Sequence, residues 1–146
     1  MKKYYQILIL LPWLFLASNT FAAPADKPFA EEKIVLQISD PDPFKQTLVL
    51  NVANNLIKHY GPDKVDIEIV AFGPGLRLLF KENSNAGRIN GLGDSGVRFA
   101  ACQNTVKGMA KQLGHEPELQ PIATPVSAGV VRIIELENQG YKLIKP

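Results

Sequence analysis

Two periods alternate along the chain, one of two residues and one of about four. Ile34-Val35-Leu36-Gln37-Ile38 is a short, nearly continuous apolar run, the pattern of a strand covered on both faces. Asp42 offers a helix cap with Pro43 at the first helical position, where its missing N–H costs nothing. Phe44, Leu48, Val52, Leu56 and Tyr60 then recur every fourth residue until Gly61-Pro62 stops the helix. From Val65 to Phe72 the period returns to two, with Val65, Ile67, Ile69 and Ala71 alternating with Asp66 and Glu68 in a second strand. Gly73-Pro74-Gly75 turns into a short helical run over Leu76 to Lys81, a polar loop follows from Asn83 to Gly87, and Arg88 to Leu92 allows one further helical turn.

The second half repeats the alternation. Val97 to Ala101 reads as a strand, and Gln103 to Leu113 as a helix through Val106, Met109, Ala110 and Leu113, capped by Gly114. Leu119 to Ile122 reads as a short fourth strand, with Thr124-Pro125-Val126 leading to Ser127 as the cap of a helix over Val130, Val131, Ile133, Ile134 and Leu136 that Gly140 closes. The β-branched content of that segment would also suit a strand, but the polar tail from Glu135 to Gln139 favours helix. Tyr141 to Ile144 forms a last strand. Strands alternating with helices imply an α/β fold, an open and mostly parallel sheet with right-handed crossovers.

The first 22 residues change the picture of charge and compartment. Lys2 and Lys3 precede an apolar run from Ile7 to Ala17, and Ser18 to Ala23 supplies small residues, which together read as a secretory signal peptide cleaved near Ala22. That run falls short of the ~20 residues that span a bilayer, so no membrane insertion is expected after processing. With the two lysines removed, the 16 Lys and Arg fall to 14, equal to the 14 Asp and Glu. A neutral mature chain without a basic stripe gives nucleic acid nothing to bind. Residues 23–32, rich in Ala, Pro and charge, read as a flexible tail, and residues 33–146 as one domain in a periplasmic or secreted protein.

An exported chain enters a disulfide-permissive compartment, yet this one has a single cysteine. Cys102 falls at the junction of the third strand and its helix. Unpaired amides and the positive end of the dipole there favour the thiolate, with Gln103 and Asn104 opening the helix beside it. A small buried apolar side chain is the alternative use of such a residue. His59, in the last turn of the first helix, and His115, in a linker, read as surface residues and show no nucleophile–base arrangement with Cys102. Three soft ligands without zinc-type spacing imply no metal. Gly91-Leu92-Gly93-Asp94-Ser95-Gly96 matches the dinucleotide-binding glycine pattern, but it precedes a strand instead of following one. The turn after the first strand is acidic and proline-rich, so no cofactor is expected.

The strand start Lys33 to Ile38, the segment Gly96-Val97 to Cys102-Gln103-Asn104-Thr105, and the ending Ala128 to Leu136 with Gly140-Tyr141 and Ile144-Lys145-Pro146 resemble the DsrE/DsrF-like family. The resemblance covers nearly the whole mature chain. It implies a flavodoxin-like fold with helices on both faces, homo- or hetero-oligomers often hexameric, and a cysteine that carries sulfur as a persulfide, matched here by Cys102. Relay members of that family are cytoplasmic, whereas this chain opens on an export signal. The expectation is therefore a sulfur-handling protein of the cell envelope, a sulfurtransferase or carrier exchanging sulfane sulfur with a donor or acceptor protein or a small thiol. In it, Asn104 and Gln103 support the Cys102 thiolate, with stabilising the start of the helix as the alternative role of Asn104. The competing expectation is a non-enzymatic oligomeric binding module with a structural cysteine. Excess apolar surface on Val130 to Leu136 further predicts a homo-oligomer, a dimer or a closed ring of dimers.

Overall fold

The computed structural model describes residues 27–146, so the signal peptide, its cleavage point and the start of the tail lie outside the described residues. The order of elements is β1 (Glu32–Ile38), α1 (Pro43–Tyr60), β2 (Val65–Ala71), a 3₁₀ helix (Gly73–Leu79), α2 (Ala86–Asp94), β3 (Arg98–Cys102), α3 (Gln103–Leu113), β4 (Ala123–Val126), α4 (Gly129–Asn138) and β5 (Lys142–Ile144). The strands form one five-stranded sheet in the order β4-β3-β2-β1-β5, and every pairing is parallel. This is a flavodoxin-like open parallel sheet.

Chain direction explains which helix covers which face. The connections from β1 to β2, β2 to β3 and β3 to β4 all step the same way across the sheet, so right-handed crossovers put α1, the 3₁₀ helix with α2, and α3 on one face. The connection from β4 to β5 steps back across three strands, so α4 lies on the other. Packing agrees: the larger apolar cluster joins Ile34, Leu36, Ile67, Ile69 and Phe99 to Leu50, Leu79, Ile89 and Val106. A smaller one joins Val35, Val70 and Ala100 to Ile133, Leu136 and Tyr141.

Several expectations need correction. The helix at 43–60 forms with Asp42 capping the Phe44 amide at 2.8 Å, but its buried face runs through Gln46, Val49, Leu50 and Ala53. Phe44 is 86% exposed, because a four-residue step turns about 40° beyond a full helical turn and a row of five such residues winds off the core face. The run after Phe72 is 3₁₀ and starts at Gly73, earlier than the spacing suggested. Gly75 makes this possible: a Cβ there would stand 2.5 Å from the Ile38 carbonyl oxygen, so the turn presses backbone against the end of β1. The single turn expected over 88–92 is part of a longer helix, α2, which begins at Ala86 inside the expected loop, is held by buried Ile89 and Leu92 and contains most of the glycine pattern.

The fourth strand is Ala123–Val126, not Leu119 to Ile122; Leu119 makes only an isolated antiparallel bridge to Phe80. Pro125 is tolerated because β4 is an edge strand and needs no amide on its outer side. Ala128, not Ser127, occupies the cap position of α4, and its side chain makes no capping bond. Within the stretch expected to trail as a tail, Lys27 Nζ donates to the carbonyls of Pro62 (2.6 Å), Val65 (3.2 Å) and Ser95 (3.4 Å), and β1 begins at Glu32.

Candidate functional site

Cys102 ends β3 and caps α3, and its register partner is Val126, the last residue of β4. β3 and β4 are adjacent strands whose exits part to opposite faces, into α3 on one and α4 on the other. The crevice outside such a divergence is where open α/β sheets hold ligands. Cys102 stands in it, with the first turns of two helices converging on its sulfur.

The thiol is buried, with 5% of the residue exposed. Burial pushes its pKa up, the largest single effect. It is outweighed by the nearby Thr105 hydroxyl and the backbone N–H groups of Gly129, Thr105 and Asn104, which favour the thiolate and leave the pKa below the ordinary thiol value. Thr105 is the third residue of α3, where a side chain reaches back to the cap residue. Its Oγ1 accepts from the Gly73 amide at 2.9 Å, which frees the hydroxyl hydrogen for the sulfur and ties α3 to the end of β2. Gly129 opens α4, and its backbone is drawn close because a Cβ there would stand 2.8 Å from that of Phe72. The Asn104 amide also reaches the Ser127 carbonyl at 3.3 Å, joining the two helix starts.

Of the two residues expected to support the thiolate, Asn104 has an exposed side chain, and its backbone N–H is among the groups that lower the thiol's pKa. Gln103 is half-buried, and its side chain is not among the groups acting on the sulfur. Thr105 and Gly129 were not singled out from the sequence. A hydroxyl three residues after a helix cap is the signal that identifies Thr105; nothing local connects Gly129 to Cys102, 27 residues away in the numbering.

The histidines lie elsewhere. α1 and α3 run antiparallel to the strands, so His59 in the last turn of α1 and His115 just beyond α3 sit at the opposite edge of the sheet. The eleven residues of α3 alone separate Cys102 from that edge by about 16 Å. No cysteine–histidine pair for hydrolysis exists among the described residues, nor any group of three His, Cys, Asp or Glu arranged to hold a metal. Among the described residues no helix is long and apolar enough to cross a membrane.

On the α4 face, Asp66 and Glu68 of β2 are not the solvated side of an alternating strand: they are 1% and 3% exposed. Arg98 of β3 pairs with both, reaching Glu68 Oε2 with Nε at 3.0 Å and contacting Asp66 with Nη1. Arg132 of α4 grips the same Glu68 through two bonds, Nε to Oε1 at 2.6 Å and Nη2 to Oε2 at 2.8 Å. Tyr141 donates to Asp66 Oδ2 at 2.5 Å and accepts from Arg98 at 2.8 Å. Burial, followed by the bond to Asp66, pushes the Tyr141 hydroxyl up to about 12. Every buried side-chain nitrogen and oxygen among the described residues has a partner.

No family model matches the chain, and no curated protein does. Among solved structures, the chain is similar to MTH1491, a protein of unknown function from Methanobacterium thermoautotrophicum. The match has a TM-score of 0.72 and 28% identity, and it covers 80% of this chain and 100% of that one.

Proposed function

We propose that this protein is a sulfur carrier of the cell envelope, a member of the DsrE/DsrF-like family in which Cys102 accepts a sulfane sulfur and passes it on. One observation carries the reading: the sulfur lies where two helix starts meet, and a hydroxyl and three amides lower its pKa despite burial. A thiolate is the attacking form, and the same donors suit the persulfide anion that follows. In the forward step the Cys102 thiolate attacks the outer sulfur of a donor persulfide, R–S–SH. The new bond is Cys102 Sγ–S, the donor's S–S bond breaks, and R–S⁻ leaves with the electron pair. An acceptor thiolate then attacks the outer sulfur and restores the Cys102 thiolate, with no net redox change. A chain with one cysteine has no internal dithiol with which to resolve the persulfide, which favours transfer to another molecule. Residues 1–22 support an envelope location.

Assembly with a second copy belongs to this reading. Among the described residues α4 alone covers its face, and its outward crest carries Val130, Val131 and Ile134 at 54%, 47% and 52% exposure. An apolar crest of this kind, flanked by Glu135 and Glu137, favours a self-complementary contact.

Intact-mass measurement after exposure to polysulfide tests the carrier. The expected result is a gain of one or more sulfur atoms, absent in Cys102→Ala. The second reading, an oligomeric binding module whose cysteine packs, is favoured by the 5% exposure of that residue. An unmodified mass with the folded protein intact would select it.

A further inference from the structure

The chain of buried ion pairs on the α4 face is unused by the chemistry above and expensive to keep. Two carboxylates and two guanidiniums taken out of water recover at best a modest net stability, and apolar residues of similar size often serve as well. What such groups supply that apolar packing lacks is direction. The cluster that holds α4 to the sheet is small, and apolar contact does not fix register or rotation along a helix. The two parallel bonds from Arg132 to Glu68 do fix them.

Arg132 is one turn beyond Gly129, and its amide bonds to the Ala128 carbonyl at 3.0 Å in the first turn of α4. Glu68 cannot follow a shift of that turn. It is a central residue of β2, 3% exposed, registered against Val35 on one side and Arg98 on the other, and its Oε2 is also held by the Arg98 guanidinium. Across the sheet, then, a rigid carboxylate sets the guanidinium, the guanidinium sets the first turn of α4, and the entry to that turn is tied to the start of α3 by the Asn104 amide on the Ser127 carbonyl at 3.3 Å. We infer that Glu68 is a positioning residue for Cys102, acting through Arg132 to hold the first turn of α4 beside the sulfur.

The inference uses Cys102 as the working group, but its test does not depend on sulfur transfer. The rate of alkylation of the reduced, folded protein is measured across pH in wild type and Glu68→Gln. Loss of a carboxylate leaves the cluster with one more net positive charge, which by field alone lowers the thiol midpoint. Loss of positioning raises it. The two effects are opposite in sign, and a rise of about half a pH unit, a roughly threefold slower reaction near neutral pH, is expected. Arg132→Lys is the companion variant. It keeps the charge, gives up the two-pronged grip and leaves Glu68 paired with Arg98, so it folds even where Glu68→Gln does not, and its midpoint also rises. Native circular dichroism with an unchanged or lowered midpoint in Arg132→Lys, or in a folded Glu68→Gln, overturns the inference. If polysulfide adds no sulfur to wild type yet both midpoints rise, the carrier reading fails while the positioning role stands.

Discussion

The two faces of the sheet are built on different principles. One is covered by α1, the 3₁₀ helix, α2 and α3 over a broad apolar cluster. The other has a single helix, a small apolar cluster, and four charged side chains with a tyrosine bonded among them. The first spreads contact over many side chains and supplies most of the driving force for folding. The second commits little apolar area and specifies one placement of α4. Cys102 stands at the seam, its helix α3 on the first face and the start of α4 on the second. A site with both requirements draws stability from one side and position from the other.

Substitutions that remove apolar volume test this division most strongly. Leu50→Ala opens a cavity under α1, where the side chain is fully buried, and is expected to cost about 2–5 kcal/mol in chemical denaturation. Ile133→Ala, in the smaller cluster, should fall at or below the lower end of that range, roughly 2 kcal/mol, because the site is near solvent and can collapse. Equal losses would mean that the faces share the load.

In the proposed assembly, Val131→Glu acts on the contact and not on the fold. It sets a charge on the outward crest of α4, so light scattering should report dissociated protomers with native circular dichroism. A wild-type chain that is already monomeric at micromolar concentration refutes the contact.

Smaller effects sharpen the seam. Thr105→Val removes one donor to the sulfur and should raise the thiol midpoint by about half a unit, roughly a threefold loss of alkylation rate near neutral pH. A thiol whose folded pKa lies below its unfolded value contributes stability above the unfolded value, and loses it as pH falls through the folded one. The destabilisation of Thr105→Val should therefore have a component that is larger at pH 9 than at pH 6, read from paired denaturant midpoints. The smallest signal is spectroscopic. With Tyr141 pushed up to about 12, an ultraviolet titration should show a late tyrosinate component that Tyr141→Phe removes. Here the sign is reversed: the stability tied to the neutral hydroxyl is complete below the unfolded value of about 10 and is lost as pH rises toward 12.

Much of the fold was legible because its signals are local. The continuous apolar run of β1, the caps of α1 and the Gly114 stop of α3 each lie within a few residues of the element that they define. β4 was not legible, since Pro125 argues against a strand until the sheet order makes it an edge. α2 was hidden by Gly91 and Gly93, poor helix formers. At Gly93 the tip of the Ile122 side chain fills the space that a Cβ would take, so a larger residue there would have to displace it. The face of α1 was legible in part: Val52, Leu56 and Tyr60 pack against the core, while Phe44 and Leu48 wind off it because four is not 3.6. At the site, position 102 followed from the strand-to-helix change, and Thr105 was within reach of capping logic. Nothing marked Asp66 and Glu68 as buried, because their partners Arg98 and Arg132 are 30 to 64 residues away, and sequence spacing gives no sign of such pairs.

The groups that lower the Cys102 pKa are mostly peptide N–H groups, and this has a consequence for how the site can change over time. A side-chain donor disappears with one codon, whereas the amides of Asn104, Thr105 and Gly129 survive every replacement except proline. The anion cradle is a property of the route that the chain takes past the end of β3, heritable without any particular letter at positions 103 or 104. Position 129 is the exception, because the route itself needs a residue without a Cβ beside Phe72. Drift can therefore rewrite nearly all the surroundings of the sulfur while its chemistry stays the same. A lineage that exchanged the cysteine for serine would keep an intact hole around a far weaker nucleophile.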